Sequence, residues 1–259
     1  MMMLVASFLF FLLISSANAC DRCVHQTKAA YFQRSNGLSS GSCGYESKAL
    51  GLGSGNVAAG VSSLYNNGAG CGACYQIRCT DSSLCSSGGT RVVLTDSHER
   101  NSTGFVLSGR AFMSLANSGK AREILKRGVV DVEYKRVPCV YNRNMALKVE
   151  ETSQKPNNLV VTVLFQGGQT EIVAMDVATV GSPNWTFLSR DKGAVWNTSQ
   201  VPTGPLQFRF VVTNGYDGKW VWAKSVLPDD WTPGAIYSTG LQIDDIAQEG
   251  CFPCHDDTW

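Results

Sequence analysis

The chain has 259 residues, 44% hydrophobic and only 17% charged, with 26 glycines and a formal net charge of +1. That balance is too apolar for a disordered segment and too close to neutral for holding nucleic acid or an anionic membrane by charge. The length allows one large domain or two small ones.

The first element is an export signal. Residues 1–19 hold an uninterrupted apolar run from Phe8 to Ile14 and close on Ala17-Asn18-Ala19, the small-x-small form of a cleavage site. The run is too short to span a bilayer, and no later run approaches the ~20 residues that spanning requires. The mature chain is therefore expected to start at Cys20 in an oxidising compartment. Ten cysteines, an even number, then argue for disulfides. Sequons at Asn101, Asn184 and Asn197 are candidate glycan sites on the same route.

From Cys20 to Tyr141 the chain is rich in cysteine and glycine. Short β-like runs at 29–32, 75–79, 91–95 and 129–137 are broken by turn signals at 66–70 and 86–89. In 75–79, Tyr75, Ile77 and Cys79 alternate with Gln76 and Arg78, which predicts a strand pinned by cysteines. Helices are predicted over 109–116 and 120–127. Between Arg143 and Cys251 there is no cysteine, and five of the six tryptophans lie there. That shift predicts a domain boundary near 141–144.

The second half reads as almost pure β. Residues 159–165 run into Gly167-Gly168, which predicts a two-residue hairpin loop with 171–177 returning from it. Residues 208–213 alternate, turn at Asn214-Gly215 and continue in 219–224. Hairpins so spaced indicate a β-sandwich.

Several residue groups together resemble the plant expansin superfamily, most closely its expansin-like A group. They are Gly41-Ser42-Cys43-Gly44-Tyr45, the Cys71/Cys74/Cys79/Cys85 cluster, Thr95-Asp96, Leu107 to Phe112 and Arg136-Val137-Pro138-Cys139. Trp185 with Ser189-Arg190, and Trp231-Thr232-Pro233-Gly234, extend the match through the second half. The resemblance implies an all-β chain with minor helices, a six-stranded double-psi β-barrel followed by an immunoglobulin-like β-sandwich. With it come the expected divisions: signal peptide 1–19, barrel 20–143, carbohydrate-binding sandwich 144–247 and a cysteine-containing tail 248–259.

The resemblance implies the pairs Cys43–Cys71, Cys74–Cys139 and Cys79–Cys85. Zinc or redox chemistry would also use C-x-x-C spacing, but one such pair inside the barrel region of an exported chain favours bridges. Cys20 and Cys23 with Cys251 and Cys254 are expected either to clasp the two termini together or to close two local bridges. Spacing alone does not decide. No metal and no cofactor is expected.

Barrels of this kind resemble those of family-45 endoglucanases, which use two carboxylates. Most expansins carry a His-Phe-Asp tripeptide whose acid would serve as proton donor; here it reads Gly104-Phe105-Val106, and valine transfers no proton. Asp96 and His98 remain, as sugar contacts or as turn-capping groups. Trp185, Trp220 and Trp222 are candidate polysaccharide contacts, the last two sharing a strand face, with core packing as the alternative. Aromatic residues usual in the family are replaced by Asn157-Asn158 and Lys192. The expected protein is secreted to the wall, monomeric and non-enzymatic, and binds cellulose or a matrix glucan or xylan. A weak glucan hydrolase using Asp96 and an apoplastic signalling or defence ligand are the alternatives.

Overall fold

The computed structural model describes residues 23–32, 41–99, 102–213 and 218–245. The leader, Cys20, Cys251, Cys254, Asn101 and the turn expected at Asn214-Gly215 lie outside the described residues, as does the proposed pairing of the termini. Cys23 is disulfide-bonded.

In the first half, β1 (His25–Tyr31), β2 (Val57–Gly60), β3 (Cys74–Cys79), β4 (Thr90–Ser97), β5 (Phe105–Leu107) and β6 (Val129–Val137) close into a barrel. Their order is β1-β5-β2-β4-β3-β6. The β1–β5 and β2–β4 pairs are parallel and the rest antiparallel. The alternation in β3 is realised: Tyr75 and Ile77 join Phe105, Leu107, Leu94 and Val132 in the barrel core. Helices α1 (Ala49–Leu52), α2 (Ser62–Tyr65), α3 (Gly109–Met113) and α4 (Ala121–Arg127) are short. The Ser108 hydroxyl caps α3 by accepting from the Ala111 amide at 3.3 Å. α3 stops before the expected Ala116 because the chain tightens into i→i−3 bonds, Leu115 N to Phe112 O and Ala116 N to Met113 O.

Eight strands follow: β7 (Ala146–Val149), β8 (Leu159–Leu164), β9 (Glu171–Thr179), β10 (Thr186–Lys192), β11 (Val195–Thr198), β12 (Leu206–Thr213), β13 (Gly218–Leu227) and β14 (Ile236–Ser238). They pair in the order β13-β12-β9-β10-β11-β8-β7-β14. β10 belongs to two sheets, its first half bonded to β9 and its second to β11. The ribbon therefore folds over as a sandwich. Leu147, Val161 and Trp196 from one sheet meet Met175, Phe208 and Phe210 from the other in a single buried core.

The hairpin expected at Gly167-Gly168 does not form. β8 pairs with β7 and β11, while β9 pairs with β10 and β12. Residues 165–170 instead cross between sheets, with Phe165 at φ 59° and Gly168 at φ 70°. Gly168 exchanges backbone bonds with Cys139 at 2.8 and 2.9 Å, tying the crossing to the barrel. The glycines serve close approach rather than a turn: a Cβ on Gly168 would stand 2.5 Å from the Asp245 carbonyl.

Barrel and sandwich are packed on each other. Cys43, Tyr45, Cys74, Val93 and Cys139 of the barrel share a buried cluster with Ala146, Leu164 and Ala194. Burial pushes the Tyr141 hydroxyl up to about 12, and that of Tyr45 further up. Arg136 bonds Glu171 at 2.8 Å, both nearly sealed from solvent. Arg190 lies over the Trp196 ring at 4.2 Å and donates to the Ile172 and Gly193 carbonyls. Gly193, at φ 50°, presses on Cys43; a Cβ there would meet the Cys43 Cα at 2.3 Å. The bonded pairs are Cys43–Cys71, Cys74–Cys139 and Cys79–Cys85, the set the resemblance implies.

Candidate functional site

Three adjacent strands place the barrel residues singled out in the sequence in one row. Ala59 on β2 is the register partner of Asp96 on β4 and of Val106 on β5, and Val106 is in turn the partner of Ala30 on β1. Side chains in register point to one face, so Ala30, Val106, Ala59 and Asp96 form a continuous row. Asp96 and Val106 sit two strands apart, roughly 9–10 Å between backbones at ~4.8 Å per strand. Two carboxylates ~6.5–9.5 Å apart are what an inverting glycosidase uses. The frame for such a pair is present, with a hydrocarbon in the acid's place. Val106 is 2% exposed, and Ala59 and Ala30 are buried beside it.

Asp96 is half-buried and one of its oxygens is engaged. Oδ1 accepts from the Ser42 amide at 2.6 Å and from the Ser97 amide at 2.8 Å. The Ser42 and Ser97 hydroxyls meet at 2.8 Å, and Tyr65 donates to the Ser42 carbonyl at 3.2 Å. Asp96 thus anchors the 41–45 loop on the barrel rim, the backbone-capping role expected of it beside sugar contact and catalysis. Gly41 permits this, since a Cβ would lie 2.6 Å from the Thr95 carbonyl and 3.1 Å from the Asp96 carboxyl carbon. His98 donates its backbone N–H to Gly60 O at 2.9 Å, and its Nε2 lies 3.4 Å from Gly104 O. At Gly104, where the family pattern places histidine, a Cβ would meet the Thr27 hydroxyl at 2.6 Å. Thr27 has filled the space that side chain would use.

An open cleft of about 740 Å³ lies nearby, lined by Thr27, Lys28, Thr103, Gly104, Asp131 and Glu133. Asp96 and Val106 do not line it, so the row and the cleft are separate features. Among the described residues no group of three or more His, Cys, Asp or Glu is placed to hold a metal ion. No helix among them is long and apolar enough to cross a membrane. His25 stacks on Tyr134 at 5.2 Å, a packing role.

The tryptophans divide. Trp196 and Trp231 are core residues at 2% and 4% exposure. Trp220, Trp222 and the half-buried Trp185 share the outward face of the β10-β9-β12-β13 sheet. Arg209, a residue the sequence reading passed over, is central there. Its guanidinium lies over the Trp185 ring at 4.4 Å and over the Trp220 ring at 4.3 Å. Asp176 holds it at 2.7 Å through Nε and again through Nη2. Trp222 follows, its ring 6.2 Å from that of Trp220 and tilted 38°. Phe187, Asp176, Arg209 and Trp222 are register partners in one row across four strands. Trp185 and Trp220 therefore do not form an open stacking floor, because each gives one ring face to Arg209. Trp222 and Phe187, at 50% and 59% exposure, carry the open aromatic surface. A signal was available: Asp176 and Arg209 are charges set between apolar neighbours in the interior of their strands.

Of the other sequence candidates, Asn184 is exposed one residue before Trp185, and Asn197 is half-buried in β11. Asn157 and Asn158 close a turn with Gln154, Asn158 N donating to Gln154 O at 2.8 Å. Lys192 ends β10. No ring stands at any of these three positions.

Comparison with known proteins agrees with both halves. Residues 145–228 match the model of the expansin C-terminal domain, and residues 57–134 match a double-psi barrel model described as lytic transglycolase. Expansin-like A1 of Arabidopsis thaliana is 54% identical over 98% of this chain and 100% of its own length. Expansin-like A3 of Oryza sativa subsp. japonica is 48% identical over 94% of this chain and 91% of its own. The crystal structure of apo-Clavibacter michiganensis expansin superposes with a TM-score of 0.63 at 21% identity, covering 85% of this chain and 97% of that one. A mutant of that expansin, solved in complex with cellohexaose, gives 0.62 at 20% identity over 90% of this chain and 100% of that one.

Proposed function

The chain belongs to the expansin-like family, and from that premise we propose that it is a secreted cell-wall protein that binds polysaccharide and loosens non-covalent contacts between polymers without cutting them. The observation that carries the non-hydrolytic part is the row Ala30–Val106–Ala59–Asp96. Hydrolysis of a glycosidic bond needs a group that protonates the leaving oxygen and a second that activates water. Val106 can do neither, and the Asp96 carboxylate has one oxygen committed to two backbone amides. Its Oδ2 stands outside those bonds, suited to accept from a sugar hydroxyl. His98 supplies a further polar group on the same rim.

In this reading residues 20–143 act as the barrel that carries the rim and 144–247 as a sandwich that adds aromatic contacts through Trp185, Trp220 and Trp222. Residues 248–259 form a cysteine-containing tail. The expected ligand is a wall glucan or xylan, bound by a monomer without metal or cofactor. Support comes from the family, from the disulfides that suit an oxidising compartment, and from the cellohexaose held by a structural relative. Depletion onto cellulose, xyloglucan and xylan, with an inert matrix beside them, tests the binding. Preferential depletion onto at least one polysaccharide is expected. Equal depletion on every matrix, the inert one included, contradicts it.

A further inference from the structure

We propose that the outward face of the β10-β9-β12-β13 sheet is a second polysaccharide-binding surface, separate from the barrel rim, so that one molecule holds two polymer chains at once. The proposal rests on the reading of the protein as a wall-polysaccharide binder and adds bivalency to it.

Phe187, Trp220 and Trp222 are among the large hydrophobic side chains most open to solvent, at 59%, 41% and 50%, and all three project from this sheet face. Large aromatic side chains left open together on one sheet face mark a contact surface. This patch is set before any ligand arrives. The Arg209 guanidinium is wedged between two indoles and fixed by Asp176, so the ring positions need little ordering on binding. Its charge is also cancelled within the row, because the carboxylate that fixes Arg209 neutralises it. Lys224, exposed two residues beyond Trp222, stands at the margin. An aromatic surface with internally matched charge suits a neutral polymer of sugar rings. C–H faces of the sugars stack on Trp222 and Phe187, and hydroxyls meet the part of Arg209 that stays exposed beside its carboxylate.

The location supplies the second binding event. Asp96 is anchored to Ser42, and the loop that continues from it rests on the other sheet, where a Cβ on Gly44 would meet Val195 at 2.3 Å and Lys192 at 3.5 Å. The outward residues Ala146 and Leu164 of that other sheet are buried against the barrel. The aromatic face looks away from it across a sandwich ~10 Å thick between sheets. A chain lying on one surface does not reach the other.

The test uses the full chain with dispersed amorphous cellulose, measuring protein depletion and particle settling together. Wild type is expected to bind and to accelerate settling at intermediate ratios, an effect that reverses when protein is in excess. Trp222→Ala, a change at a half-exposed position, should still deplete but settle like the protein-free suspension. Its apparent affinity for the polymer should fall by on the order of 10²-fold, the low end of an avidity loss. Arg209→Ala, which releases Trp185 and Trp220, should act in the same direction. Binding by wild type without accelerated settling, or unchanged settling in both variants, overturns the proposal and leaves the wall-binding reading intact. Absence of binding by wild type removes both. Dimerisation without glucan that Trp222→Ala abolishes also overturns it, assigning the face to a second copy of the chain.

Discussion

The barrel row and the sandwich face are built alike, each a set of register partners across neighbouring strands, yet their chemistry runs in opposite directions. In the barrel, Ala30–Val106–Ala59–Asp96 sets Val106 two strands from Asp96, and three of its four members are hydrocarbon and buried. On the sandwich, Phe187–Asp176–Arg209–Trp222 places a matched ion pair between two aromatics that stand open to solvent. The difference lies in what stands beside each row. Val106 is flanked by two alanines that admit no partner for a charge, whereas Arg209 has a carboxylate and two ring faces within 4.5 Å. The same strand-register frame thus holds a hydrocarbon row in one half and a charged, aromatic row in the other.

The contrast extends to what holds each half. The described disulfides all lie in or next to the barrel, while the sandwich relies on its core. Replacing Cys74 and Cys139 together by alanine opens a bridge spanning 65 residues, for which loop closure predicts about 4 kcal/mol of lost stability. Denaturation followed by tryptophan fluorescence, which reports the sandwich, and by near-ultraviolet tyrosine signals, which report the barrel, should show the barrel melting first. Simultaneous loss of both signals at the wild-type midpoint would erase the distinction.

A carboxylate introduced into each row compares them directly. Val106→Asp puts an unpaired acid in a sealed site and should cost about 3 kcal/mol at pH 7. Burial raises the pKa of such an acid, so the cost should shrink at pH 4 as the group takes up a proton. Trp222→Asp, on the open face, should cost less than about 1 kcal/mol. Equal costs in urea denaturation would mean that the barrel row is as open as the sandwich face.

The smallest expected effect concerns the packing between the halves. The Tyr141 hydroxyl, pushed up to about 12 by burial, must stay neutral in the folded state. Its raised pKa leaves stability unaffected below the usual tyrosine value near 10 and lowers it as pH climbs from there through about 12. Tyr141→Phe should flatten part of that alkaline loss.

Much of the barrel could be read from the sequence because its strands alternate cleanly. Residues 129–137 form β6 at both predicted ends, and Tyr75, Ile77 and Cys79 face inward as their spacing required. The valine in place of an acid was equally plain. The sheet exchange at 165–170 was not, because Gly-Gly after an apolar run signals a hairpin locally. The decisive contacts are with Cys139 and Asp245, remote in sequence. Arg209 was missed for a related reason. An arginine in an alternating strand reads as a solvated charge, and only the sandwich topology brings Trp185 and Trp220 to its two sides. Trp196 and Trp231 could not be told from Trp220 and Trp222 by residue type, since inward and outward positions depend on which sheet each strand joins.

The most direct test of the central claim follows extension and chemistry in one sample. Isolated wall strips are held under constant load in a small bath containing the protein, and creep and released reducing sugar are recorded together. The account predicts that wild type raises creep while reducing sugar stays at the buffer level, and that Asp96→Ala releases no reducing sugar either. Reducing sugar that accumulates with wild type and disappears with Asp96→Ala would contradict it, showing that the barrel row still cuts glycosidic bonds without an acid at Val106.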